Sequence, residues 1–177
     1  MKGDAKVIQY LNQALTNELT ATNQYWLHFR MLDHWGMTWL AQYERKESIE
    51  EMVHADHLTA RILLLDGHPN FQRLGNVRVG ETVEEVIQAD LELEEEAIPL
   101  LRDAIEHCES VRDYVSRDLL KEILRDEEDH VDHLETQQEM IEKMGLQNYI
   151  QLQSAPAPEQ HIGGATAGDT KGFGKGN

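Results

Sequence analysis

Two segments of the chain repeat one chemical pattern: Glu51-Met52-Val53-His54 and Glu127-Glu128-Asp129-His130, each a Glu-x-x-His. On a helix, residues three apart lie one above the other on one face, so each segment aims a carboxylate and an imidazole at one point. Two such points on two helices suggest one shared metal site, and the chain supplies further ligands for it. Glu18 interrupts an apolar stripe between Leu15 and Thr22, and Glu94 interrupts another between Ile87 and Ala97. An isolated buried carboxylate is costly enough that it normally finds a partner or loses its charge. Oxygen donors with only two nitrogens and no thiolate suit iron or manganese better than structural zinc. With six ligands for two ions, some carboxylates must bridge, and positions stay open for oxygen or peroxide. A single Glu-x-x-His is more often a solvated helix face. Two of them, each central in its own apolar stripe and joined by a central Glu on each remaining helix, are hard to obtain by accident.

The elements that must position these residues are helices. From Asp4, which reads as an N-cap, apolar residues recur at Ile8, Leu11, Leu15, Thr22, Tyr25 and Phe29, one helical face that ends near Gly36. A second stripe, Leu40, Tyr43, Glu47, Glu51, His54, Leu58 and Leu65, is stopped by Gly67 and Pro69. Residues 67–81 have no helical period and read as a long connection. Thr82 and Glu85 predict a capping box at the start of a third helix, with Pro99 expected to bend it. A fourth stripe, Leu120, Ile123, Glu127, His130, Leu134 and Ile141, closes at Gly145, and residues 146–152 make a short fifth helix. Short connections make the first and last pairs antiparallel hairpins. The connection of about 15 residues reaches roughly 50 Å when extended, more than the roughly 42 Å of the second helix. The third helix can therefore run parallel to the second. The expected fold is all-α: a ferritin-like four-helix bundle with one long crossover and a short fifth helix over residues 1–153. Residues 154–177, rich in proline and glycine, are expected to form a disordered tail.

The formal charge of −17 argues against nucleic acid and anionic membrane as partners and towards cations. Cys108 is the only cysteine, which excludes an intrachain disulfide, a CxxC pair and a Cys-based zinc or iron–sulfur site. No run approaches the roughly 20 apolar residues of a membrane span, and no signal-peptide pattern precedes the first helix. A cytoplasmic protein is expected.

Over roughly residues 1 to 153 the chain resembles the bacterioferritins, the haem-binding branch of the ferritins. The likeness is carried by Met1-Lys2-Gly3-Asp4, by Glu47-Ser48-Ile49-Glu50-Glu51-Met52, by His54-Ala55-Asp56 and by Asp126-Glu127-Glu128-Asp129-His130. The resemblance implies a ferroxidase centre in which Glu18 and His54 hold one iron, Glu94 and His130 the other, and Glu51 and Glu127 bridge. Tyr25 would be a hydrogen bonder or electron donor beside it, or simply a packed core tyrosine. Met52, about 100° off the core face, would be the axial ligand of haem b shared between two subunits, with Trp26 lining the pocket; spacing alone makes it a flexible interface residue. The implied assembly is a homo-oligomeric iron-storage shell of about 24 copies, served by iron(II), oxygen or peroxide and a ferredoxin-like electron donor.

Two departures bear on the inner surface. Lys46 and Glu50 stand where many relatives have a histidine and an aspartate, which leaves Glu47 and Glu50 to collect cations there, and His133 stands where a tryptophan is frequent. A rubrerythrin-type oxidoreductase normally carries a cysteine-rich domain that this chain lacks. A DNA-protecting miniferritin builds its iron sites between subunits, whereas here one bundle holds a complete ligand set.

Overall fold

The computed structural model describes residues 1–154; residues 155–177, nearly all of the expected tail, lie outside the described residues. Five helices follow in order: α1 (Ala5–His34), α2 (Thr38–Leu64), α3 (Val83–Ser110), α4 (Tyr114–Met144) and α5 (Leu146–Gln153). Their ends follow local chemistry. The Asp4 carboxylate accepts the N–H groups of Lys6 and Val7 at the start of α1. Thr82 Oγ1 accepts the Glu85 N–H at 3.2 Å, while the Glu85 carboxylate takes the N–H of Glu81, one residue before the partner a capping box predicts. Gly36 and Gly145 hold positive φ angles of 84° and 81° where α1 and α4 stop. Helix α3 continues through Pro99, which lies on its exposed side.

Helix α1 packs against α2 and α3, and α3 packs against α4. The connection between α2 and α3 runs the length of α1. Asn70 N–H donates to Asn12 Oδ1, Gly75 N–H to Thr20 Oγ1, Arg78 N–H to Gln24 Oε1, and Gly80 N–H points at His28 Nε2. A polar stripe on α1 thus satisfies backbone donors that a loop packed on a helix would otherwise leave unpaired. This crossover delivers α3 parallel to α2, as the loop length predicts.

Among the described residues the core comprises two large apolar clusters and a small one of Ala21, Tyr25 and Leu93. Val7, Leu11, Leu58, Ile62, Leu101 and Ile123 belong to one of the large clusters. Phe29, Leu32, Leu40, Ile87, Leu134 and Tyr149 belong to the other, which α5 helps to close. Each fully buried aliphatic side chain contributes about 1.5–3 kcal/mol. Two such plugs offset the several kcal/mol that each ion buried between them costs.

Candidate metal centre

Between the plugs, the six residues singled out by spacing converge from four helices. Glu18 comes from α1, Glu51 and His54 from α2, Glu94 from α3, Glu127 and His130 from α4, and none is more than 6% exposed. Their ligand atoms form two overlapping groups, Glu18, Glu51, His54, Glu127 and Glu51, Glu94, Glu127, His130, each with atoms mutually within 4.8 Å. Glu51 and Glu127 belong to both. His54 Nδ1 lies 3.2 Å from Glu18 Oε2 and 3.2 Å from Glu51 Oε2. His130 Nδ1 lies 3.1 Å from Glu127 Oε2 and 3.3 Å from Glu51 Oε1.

Electrostatics show what such a cluster requires. Burial, reinforced by the Glu127 charge, raises the carboxyl of Glu18 and that of Glu94 well above the ordinary range. Burial and Glu18 do the same to Glu51. Burial opposes charge on His54, but the surrounding carboxylates, Glu51 foremost, outweigh it and push the imidazole up to about 9. His130 is pushed up to about 12, burial being outweighed by hydrogen bonds to Glu127 and Glu47. Each of these shifts favours the protonated form, so protons compete with cations for the same atoms. Glu51 Oε1 is buried with no hydrogen bond of good geometry. A cavity of about 10 Å³ opens among Glu18, Glu51, Glu94 and Glu127, kept clear by the small side chains of Ala21 and Ala97. Oxygen-rich donors, two imidazoles and an unsatisfied buried oxygen fit a pair of hard or borderline divalent cations.

The other expected residues fall around this core. Tyr25, fully buried, donates its hydroxyl to Glu94 Oε1 at 2.5 Å. Met52 is 55% exposed and stands clear of the centre, with Ile49 and Val53 exposed on the same helix. Trp26, on α1, packs edge-on against Phe29. Glu47 is buried, 2.5 Å from His130 Nε2, so it belongs as much to the centre as to the inner surface. The Lys46 ammonium sits 2.8 Å from Glu47 and 2.9 Å from Glu50, where it competes with any cation those carboxylates collect. His133 stacks on Tyr43 with ring centroids 3.7 Å apart. Sequence reasoning missed Asp126, whose carboxylate reaches His54 Nε2 at 3.4 Å. Its position one residue before Glu127 was the available signal.

The comparisons with known proteins find relatives along most of the chain. The ferritin-like domain family matches residues 8–144. The bacterioferritin of Rhodobacter capsulatus is 49% identical over 156 residues, covering 88% of this chain and 97% of the relative. That of Brucella melitensis is 51% identical, covering 90% and 99%, and that of Streptomyces coelicolor 53%, covering 89% and 96%. With a bundle of the expected topology and buried carboxylate–histidine groups at its middle, the chain belongs to the ferritin-like family, among the bacterioferritins.

Proposed function

We propose that the protein stores and detoxifies iron by oxidising iron(II) at the six-residue centre and passing iron(III) to a mineral inside a shell of its own copies. The observation that carries this reading is the sharing of Glu51 and Glu127 between two ligand groups. Two ions held by one such set sit close enough to be oxidised together. Glu18 and His54 hold one iron(II), Glu94 and His130 the other. Tyr25 steadies Glu94 through its hydroxyl. Glu47, in reach of His130 Nε2, and Glu50 offer oxygen donors on the inner side, with Lys46 as their competitor. Oxygen or hydrogen peroxide takes the electrons.

Haem b is the second cofactor of this reading. An exposed thioether at Met52, with Ile49 and Val53 beside it and Trp26 also exposed, suits an apolar macrocycle and its iron better than it suits water. Bound there, haem supplies an electron path for iron release, with a ferredoxin-like protein as donor. Among the described residues no helix is long and apolar enough to cross a membrane, and the reading places the shell, of about 24 subunits, in the cytoplasm. An absorption spectrum taken with the native particle mass tests these points together. The expected result is a haem-bearing assembly near 24 chain masses, with Met52→Leu removing the haem band while iron oxidation persists. A small haem-free oligomer, or an unchanged haem band in the variant, contradicts the reading.

A further inference from the structure

A second polar group lies buried beyond the metal centre, against the plug closed by α5. Gln24 and His28 of α1, Glu44 of α2 and Asp90 of α3 are each 0% exposed. Asp90 Oδ1 accepts from Gln24 Nε2 at 2.8 Å, and its two oxygens lie 2.8 and 2.9 Å from His28 Nδ1. The tautomer of His28 follows from its other nitrogen. Gly80 N–H points at Nε2 from 3.3 Å, and an N–H needs a lone pair, so Nε2 is bare and Nδ1 carries the hydrogen. His28 therefore donates to Asp90, both of whose oxygens act as acceptors.

Glu44 completes the group, its carboxylate within 4.8 Å of ligand atoms on both His28 and Asp90. Both its oxygens are buried without a donor. Two facing carboxylates deprived of water repel, and a proton on one of them turns repulsion into a hydrogen bond. A cation would also reconcile them, but it would take the lone pair of His28 Nδ1 and leave a hydrogen on Nε2 facing the Gly80 N–H. Metal-bound imidazoles normally donate from the other nitrogen to an acceptor; here that place holds a donor.

We propose that Glu44 and Asp90 form a buried acid–carboxylate pair, oriented by His28, that stores one proton at neutral pH beside the metal centre. The groups that act on the pair are Tyr25 and His28 from α1, Tyr43 and Glu47 from α2, Glu94 from α3 and Tyr149 from α5. Burial and the Asp90 charge hold the Glu44 carboxyl well above its ordinary value, with Glu47 and Glu94 adding to the effect.

The test compares the full chain with Glu44→Gln, which keeps the side-chain volume and supplies an N–H to Asp90. Infrared difference spectra of the metal-free proteins at neutral pH should show a protonated carboxyl in the wild type that the variant lacks. Identical carboxyl absorption overturns the acid pair. In an anaerobic cobalt(II) titration both proteins should bind the same number of ions. A cobalt(II) ion held by the wild type and not by the variant overturns the proton store in favour of a cation site. Failure of both proteins to bind cobalt(II) contradicts the metal centre, while the infrared result still decides the pair.

Discussion

At the scale of the residue, burial sets the protonation of each ligand and so makes the metal-free protein sensitive to pH. A group whose folded pKa lies above its unfolded value stabilises the fold below the unfolded value and loses that contribution as pH rises through the folded one. For His54 the window runs from about 6.5, the free imidazole value, to about 9. The raised glutamates Glu18, Glu51 and Glu94 work in the same direction. The melting temperature of metal-free protein should therefore fall as pH is raised across this window, and loading with a divalent cation should flatten the slope. A melting temperature that climbs with pH over the same range contradicts the assigned protonation. The six central residues were legible because an ionisable side chain within an apolar stripe conflicts with its surroundings, and two Glu-x-x-His echoes marked where to look. Glu44 was not singled out, although it lies seven residues before Glu51 on the same face. Tyr43 took its place in the predicted stripe, yet Tyr43 is only partly buried while Glu44 is wholly so. At 100° per residue, adjacent positions both approach the core face, and only the packed neighbours decide between them.

At the scale of the element, the crossover determines how α3 meets the other helices. Its length was readable as reach; its path was not. Asn12, Thr20, Gln24 and His28 look like ordinary polar positions in sequence, since a side chain that caps a loop cannot be told from one that faces water. The structure makes Gly80 the tightest point of that path. A Cβ built there would stand 2.3 Å from Val86 N and 2.6 Å from Val86 Cα, backbone atoms of the first turn of α3 that cannot swing aside. Gly80→Ala should cost about 1–3 kcal/mol in denaturant unfolding. An unchanged midpoint would show that the crossover does not bear on α3 at this residue. Helix ends were more legible than the loop, because Asp4, Thr82, Gly36 and Gly145 each act through their own backbone neighbourhood. The reciprocal half of the capping box was the exception, with Glu85 choosing the N–H of Glu81.

At the scale of the whole molecule, a net charge of −17 surrounds a bundle whose middle holds four carboxylates. Such a field draws cations and repels polyanions. Four-helix topology followed from stripe periods and connection lengths, but the number of copies does not follow from either, because a subunit interface looks like any exposed apolar face. Residues 155–177 are expected to add nothing to the packing of the bundle, so their deletion should leave the sedimentation of the assembly unchanged apart from the lost mass. Dissociation of the truncated protein contradicts that expectation. The central claim, that six residues from four helices act as one iron(II)-oxidising unit, is tested most directly by stopped-flow absorbance after mixing iron(II) with aerobic metal-free protein. The wild type should show a fast phase that saturates at about two iron(II) per subunit, and Glu94→Ala and His130→Ala should each nearly abolish it. A fast phase of unchanged rate and amplitude in either variant would contradict the account.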